Sequence, residues 1–226
     1  MTQSLERFAA RRRYGLTATL SRSDALEAMI PALMGRVLIG ITRREQVLVR
    51  VHRWENGGEK PAQPHEVLER MQACPRRRAM LARLCLGRAR QGRRPMVLSS
   101  RLELLEHMEE ALASAGVAVG RLYGNRRDAK AELDASHVVL ASFQMASEGV
   151  DLPSRDCLVL AMPCTHHGLV EQVVGRVTRG STAERAALVD DVADDWKRAA
   201  ASARRRLYAS KGWQVEEGGE ATALAP

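Results

Sequence analysis

The chain has 226 residues, of which 45% are hydrophobic and 27% are charged. That composition is ordinary for a globular protein, and the length has room for one full domain and part of another. The longest apolar run, residues 157–163, is far too short to cross a bilayer, and the N-terminus has no signal-peptide core. These features exclude membrane-spanning and secreted classes, so we expect a soluble, intracellular (cytoplasmic) protein. A formal charge of +8 favours a polyanionic partner.

The first 54 residues contain only a few predicted elements. Ser23 is a good N-cap for a helix over residues 24–34, and residues 37–41 and 46–54 are predicted strands. Asn56-Gly-Gly58 is typical of a turn or linker. Two or three strands and one helix are too few to bury both faces of an α/β sheet.

Residues 75–95 hold eight arginines and no acidic residue. Met80, Leu81, Leu84 and Cys85 form an apolar helical stripe within this basic run. Its arginines could be a solvated helix face or a face that binds nucleic acid, and the sequence leaves both interpretations open.

A regular alternation of strands and helices follows. The predicted strands cover residues 95–99, 117–123, 137–141, 157–162 and 187–192, and the predicted helices cover residues 102–114, 128–133, 169–178 and 194–209. Short apolar strands that alternate with helices predict an α/β fold, a doubly wound parallel sheet with helices on both faces.

The four cysteines show no pattern of a disulfide framework or a metal site. They form no Cys-x-x-Cys pair and have no histidine at zinc-finger spacing. We therefore expect buried, reduced thiols and no metal ligands in this chain. Trp196 and Trp213 could stack on bases or pack the C-terminal helix.

The string Gln172-Val-Val-Gly-Arg-Val-Thr-Arg179 carries the most specific chemistry. Its two arginines are three residues apart, which places them on one side of a helical turn. Forked, permanently charged donors suit the oxygens of a polyphosphate. The string follows Ser147-Glu-Gly-Val-Asp151 by about twenty residues, and the pair of strings together is far more specific than either one alone.

With these strings in view, the chain resembles superfamily 2 helicases, and specifically their second RecA-like domain. Val97-Leu-Ser-Ser-Arg101 is similar to motif IV. The segment from Val139 to Pro153 is similar to motif V, and the segment from Gln172 to Arg179 is similar to motif VI. Gly15-Leu-Thr-Ala-Thr19 is similar to motif III at the end of the first domain. This form of motif III resembles the branch that contains the xeroderma pigmentosum group B repair helicase and related phage and viral enzymes.

The resemblance divides the chain into a remnant of the first RecA-like domain over residues 1–58, a second RecA-like domain over residues 64–213, and a flexible tail over residues 214–226. No Gly-x-x-x-x-Gly-Lys-[Ser/Thr] loop occurs, and no acidic strand end that would hold magnesium. We therefore expect that the chain binds ATP with Mg²⁺ only together with a separate chain that carries these Walker A and B motifs, and cannot hydrolyse ATP alone.

The resemblance also assigns roles to individual residues. Arg176 and Arg179 are the expected arginine fingers, although they could instead be helix-surface residues that pair with Glu171 or Glu184. The residues expected at the nucleotide are Gly149, Asp151, Gln172 and Gly175. The residues expected at the phosphates of a bound strand are Ser99, Ser100, Arg101 and Ser142, although Ser99 and Ser142 could equally cap the following helices. Thr17 and Thr19 are expected to couple the two domains.

These roles predict that the chain is the C-terminal half of an ATP-dependent helicase or translocase that acts on nucleic acid. DNA is favoured over RNA as the substrate, and the resemblance implies a role in repair, recombination or replication. Two alternatives stay open: a non-catalytic nucleic-acid-binding module, and an interaction subunit that docks onto a separate front half. Binding without any response to ATP favours the first, and self-association of the isolated chain favours the second.

Overall fold

The computed structural model describes residues 46–147, 154–182 and 184–218, together with residues 35, 36 and 39. The chain divides into two compact units, Met1–Arg44 and Glu45–Pro226. The second unit contains all the strands and helices given below.

Eight strands of the second unit form one sheet. They are β1 (Val47–Trp54), β2 (Pro95–Ser99), β3 (Val119–Tyr123), β4 (Arg126–Arg127), β5 (Val138–Ser142), β6 (Cys157–Leu160), β7 (Ala187–Asp194) and β8 (Gln214–Gly218). Their order is β4-β3-β5-β2-β6-β7-β1-β8. Neighbouring strands are parallel except for the antiparallel pair of β3 and β4.

Helices cover both faces of this sheet. They are α1 (Pro64–Ala73), α2 (Pro75–Arg90), α3 (Leu102–Ser114), α4 (Lys130–Ala135), α5 (Phe143–Ser147), α6 (His167–Val177) and α7 (Arg198–Lys211). Successive strand residues point to opposite faces, so Val97 packs with α1–α3 and Leu98 packs with α4–α7. The predicted α/β fold with a parallel, doubly covered sheet is confirmed.

The ends of the sheet differ from the sequence-based prediction in two places. β1, predicted as part of the first segment up to residue 58, pairs with β7 along its whole length and lies inside the sheet. Gln214–Gly218, predicted as flexible tail, is the edge strand β8 beside β1. Cross-strand ion pairs stabilise this edge, because Arg50 contacts Glu216 at 3.2 Å and Arg53 contacts Glu217 at 3.3 Å.

The buried strand β7 carries three aspartates, at positions 190, 191 and 194. Each one pairs with a buried arginine from a helix: Arg88 for Asp190, Arg204 for Asp191 and Arg77 for Asp194. Removing one partner of such a pair costs about 3–5 kcal/mol, because the other charge stays buried. These pairs therefore tie α2 and α7 to opposite faces of the same central strand.

Candidate functional site

The segments similar to motifs IV and V meet at the carboxyl edge of the sheet. β2 ends at Ser99 and β5 ends at Ser142, and these two serines are direct partners in the parallel register. In an open α/β sheet, ligands bind outside the carboxyl ends of the strands. The register thus places two of the predicted strand-binding residues side by side at that edge.

Both serine side chains form hydrogen bonds with backbone groups of nearby residues. The buried Ser99 hydroxyl accepts from the Arg101 amide and donates to the Arg101 carbonyl, both at 2.9 Å. The Ser142 hydroxyl accepts from the Met145 amide at 3.3 Å and so caps α5. The Ser142 contact agrees with the capping alternative, whereas Ser99 holds the turn before α3 and does not cap that helix. A contact of either side chain with a nucleic-acid phosphate stays a prediction.

Ser100 and Arg101, the other two predicted strand contacts, sit in the turn that follows β2. Ser100 is exposed and Arg101 is half-buried. Within the described residues, Arg101 Nε is buried and has no hydrogen-bond partner. The turn therefore presents the exposed Ser100 hydroxyl at the carboxyl edge of the sheet, and one unsatisfied donor lies buried beneath it.

Helix α6 and the 3-10 turn that continues it, Thr178–Gly180, carry the predicted nucleotide-binding residues. Gln172, Gly175, Arg176 and Arg179 follow the spacing i, i+3, i+4, i+7 that lines one side of a helix. The opposite side is fully buried in the core through Val170, Val173, Val174 and Val177. Gln172 and Arg179 are exposed, whereas Gly175 and Arg176 are half-buried.

The chemistry of this face is that of a hydrogen-bond donor surface. Two guanidinium groups offer forked N–H donors and no acceptor, and the Gln172 amide adds two more donors. Glu171, one alternative partner for these arginines, pairs instead with Lys211 of α7. Such a surface suits phosphate oxygens.

α6 also contacts the segment similar to motif V. Arg176 Nη2 donates to the backbone carbonyl of Ser147, the last residue of α5, at 3.3 Å. Residues 148–153 come next and lie outside the described residues, so Gly149 and Asp151 are not placed. Thr17 and Thr19 lie outside them as well.

The chain is anchored again immediately after residue 153. Ser154 donates to Asp134 at 3.3 Å, and the Arg155 guanidinium donates to the carbonyls of Leu133, Ser136 and His137. Burial, together with the nearby charge of Arg94, lowers the pKa of Arg155 to about 10. The segment similar to motif V is therefore fixed on both sides. Arg155 could not be recognised from the sequence, because no local pattern distinguishes it from a surface arginine.

The basic run over residues 75–95 is mostly internal. Five of its eight arginines donate to protein groups: Arg77, Arg78, Arg88, Arg93 and Arg94. Their partners are three aspartates and several backbone carbonyls, so most of the run stabilises the fold. The remaining three, Arg76, Arg83 and Arg90, are exposed.

Other candidate groups have structural surroundings. Trp196 and Trp213 are buried, and Trp213 stacks on Tyr208 with ring centroids 5.8 Å apart. The four cysteines are free, and burial raises the pKa of the Cys164 thiol. In the part of the chain that the structure describes, no cluster of three His, Cys, Asp or Glu residues could hold a metal ion, and no helix is long and apolar enough to cross a membrane.

The chain is similar to known proteins in sequence and in fold. The family described as helicase conserved C-terminal domain matches residues 76–181. A probable helicase of Escherichia phage T5 is 26% identical over 227 residues, which cover 95% of this chain and 50% of that protein. The chain thus spans half the length of this phage relative.

Two solved structures share the fold. UvsW of phage T4 matches with a TM-score of 0.63 and 14% identity, over 78% of this chain and 41% of UvsW. The RNA helicase Prp28 from Chaetomium thermophilum, solved with ADP, matches with a TM-score of 0.54 and 15% identity, over 88% of this chain and 45% of Prp28. The motif-bearing strands and helices, the matched family and these folds agree, and the chain therefore contains a helicase conserved C-terminal domain over residues 76–181.

Proposed function

We propose that this chain is the C-terminal half of an ATP-dependent helicase or translocase that acts on nucleic acid, with DNA favoured over RNA. The observation that carries the proposal is the contact between Arg176 and the Ser147 carbonyl. It packs the helix that would face the nucleotide against the segment that would face the strand. A change at one segment would reach the other through this contact, as coupling between ATP hydrolysis and movement along a strand requires.

The α6 face fits the phosphates of ATP. Arg176 and Arg179 would stabilise the charge that develops on the γ-phosphate, and Gln172 would position the nucleotide. ATP would supply the phosphoryl group whose transfer to water releases the free energy for movement. The Mg²⁺ ligands and the P-loop would come from a segment that carries Walker A and B motifs, in a partner chain or in a longer protein.

The carboxyl edge of the sheet fits a nucleic-acid backbone. Ser100, Arg101 and Ser142 present hydroxyl and guanidinium donors without an acidic side chain among them. Donors of this kind contact phosphates without reading bases, which suits an enzyme that moves along any sequence. DNA is favoured by the resemblance of residues 15–19 to the repair-helicase branch, whereas the phage helicase relative and the shared fold with an RNA helicase do not discriminate.

ATP hydrolysis stimulated by single-stranded DNA tests this proposal. It is measured for the chain alone and for the chain mixed with a polypeptide that carries the Walker A and B motifs. We expect hydrolysis only in the mixture, and a loss of about a thousandfold for Arg176→Ala or Arg179→Ala, since an arginine finger contributes at least that much. Arg198→Ala on the exposed side of α7 is the matched control and retains activity.

The alternatives give different results. Salt-sensitive DNA binding with no hydrolysis in any mixture would leave a non-catalytic binding module. Self-association of the chain, with neither binding nor hydrolysis, would leave an interaction subunit. Full activity of both arginine variants would contradict the finger assignment while leaving the helicase assignment in place.

A further inference from the structure

The outward side of α2 is a row of three arginines. Arg76, Arg83 and Arg90 are all exposed, whereas Arg77 and Arg88 of the same helix turn inward to pair with β7. α2 packs on the sheet face opposite α6, in a separate part of the core. The row is therefore distinct from the nucleotide-facing helix and from the carboxyl-edge turn described above.

The spacing of the row is regular. Seven residues advance an α-helix by about 10.5 Å with a drift of only about 20°, so the three side chains lie nearly in line over about 21 Å. The phosphates of a duplex are held in a fixed array by base pairing, whereas those of a single strand are not. A straight, rigid row about 21 Å long therefore suits a regular duplex better than a flexible single strand.

The charges of the row are available to a partner. Among the described residues, neither Arg83 nor Arg90 has an ion-pair or hydrogen-bond partner, and α2 contains no acidic residue. The Arg76 guanidinium lies 5.7 Å from the centre of the Trp54 ring, which holds it in place and leaves its charge uncompensated. The exposed acids Glu106 and Glu110 lie on α3, on the same sheet face, and would confine a polyanion to α2.

We propose that Arg76, Arg83 and Arg90 bind the phosphodiester backbone of duplex nucleic acid. The proposal rests on the proposed function and adds a second contact surface to it: the carboxyl edge would hold the tracked strand, and α2 would hold the duplex that adjoins it. The partner is identified by charge complementarity, because three aligned, uncompensated guanidinium groups match a line of phosphates.

The salt dependence of duplex binding tests the row. Binding of the full chain to a 20-base-pair duplex and to a 20-nucleotide single strand is measured over a range of salt concentrations, for the wild type and for Arg83→Gln with Arg90→Gln. On a duplex, each lost phosphate contact reduces the steepness of the plot of log affinity against log salt by about 0.9. The slope for the double variant should therefore be shallower than the wild-type slope by about 1.8. Binding to the single strand should change little.

Matched variants separate a specific contact from a general loss of charge. Arg198→Gln with Arg206→Gln removes the same two charges from exposed positions of α7, on the opposite sheet face, and should leave the duplex slope near the wild-type value. The variant Arg83→Lys with Arg90→Lys should keep most of the wild-type salt dependence of duplex binding, because lysine also binds phosphate as a point charge. Glutamine is a good helix former, so the α2 variant should unfold at the wild-type denaturant midpoint.

Each outcome identifies which proposal fails. A wild type that binds single strands but no duplex, or an α2 variant with the wild-type duplex slope, overturns the row and leaves the proposed function standing. Equal losses on duplex and single strand, or equal losses in the α2 and α7 variants, also overturn it. A wild type that binds neither nucleic acid overturns the nucleic-acid part of the proposed function itself.

Discussion

Arg176 of α6 donates from Nη2 to the backbone carbonyl of Ser147 at the end of α5, at 3.3 Å. The two residues are 29 positions apart in the chain, and the contact joins the segments similar to motifs VI and V. It also occupies one N–H group of a residue that we assign to the γ-phosphate. One side chain would thus link the nucleotide to the strand-binding segment.

The Arg176 contact should be visible in local dynamics. Arg176→Gln removes it, and we expect faster amide hydrogen exchange in α5 with a change in unfolding free energy below about 1.5 kcal/mol, because an exposed hydrogen bond contributes little to stability. Hydrogen exchange measured by mass spectrometry, together with urea titration, checks both parts. Arg198→Gln serves as the control, and unchanged exchange in α5 would show that the contact does not hold the segment.

Ser142 offers a way to separate a helix cap from a phosphate contact. Ser142→Ala loses the bond to the Met145 amide and should destabilise the chain by about 0.5–2 kcal/mol. Ser142→Asp keeps a good cap and should retain near wild-type stability, but its charge would repel a phosphate. We therefore expect the aspartate variant to fold normally and to bind single-stranded DNA more weakly.

Urea titration and binding assays on both Ser142 variants provide the measurement. Wild-type DNA affinity in the aspartate variant would mean that Ser142 acts as a cap alone. Weak DNA binding in the alanine variant without a loss of stability would mean that Ser142 acts as a phosphate contact alone. The hydroxyl would then bind the DNA strand and would not stabilise α5.

The sequence predicts features whose determinants are close together in the chain. β2 and α3 begin and end where the apolar pattern and flanking residues place them, and the α6 face follows from the spacing of Gln172, Gly175, Arg176 and Arg179. α1 was not predicted, although Pro64 at its first turn is a start signal. The α/β class follows from the alternation of these elements alone.

Features that depend on distant partners could not be predicted. Arg77 and Asp194 are 117 residues apart, and nothing local distinguishes Arg77 from its exposed neighbour Arg76. The strand β8 has one apolar residue, Val215, and it is exposed, so pairing with β1 and not hydrophobic periodicity defines it. The adjacency of Ser99 and Ser142 likewise needs the strand register.

Two glycines give opposite predictions for the same substitution. A Cβ on Gly120 of β3 would lie 2.7 Å from Ser136 Oγ and 3.0 Å from Leu133 Cδ2, so Gly120→Ala should destabilise the chain by about 1–3 kcal/mol. A Cβ on Gly87 of α2 would meet nothing within 4 Å, so Gly87→Ala should stabilise it by about 0.5–1 kcal/mol through helix propensity. Urea titration of both variants decides the signs, and destabilisation by both would mean that the surroundings of Gly87 are tighter than described.

The buried pair of Asp190 and Arg88 should make stability depend on pH in the acid range. Burial by itself raises the pKa of Asp190, but hydrogen bonds from Arg88, at 2.6 and 2.7 Å, and from His52, at 2.7 Å, outweigh it and lower that pKa below its ordinary value. A carboxyl group with a lowered pKa in the folded state contributes stability that is present above its unfolded pKa, about 3.9, and is lost as pH falls through the folded value.

Asp190→Asn isolates this contribution. Above pH 5 the variant should be less stable than the wild type by about 3–5 kcal/mol, because Arg88 stays buried without its charged partner. The gap should narrow as pH falls below about 4, because the unfolded wild type takes up a proton at Asp190 before the folded protein does. Urea titrations of both proteins at a series of pH values measure the gap. A stability gap that stays constant between pH 5 and pH 2 would contradict the lowered pKa of Asp190. A gap that widens toward acid would mean that this pKa is raised in the folded state.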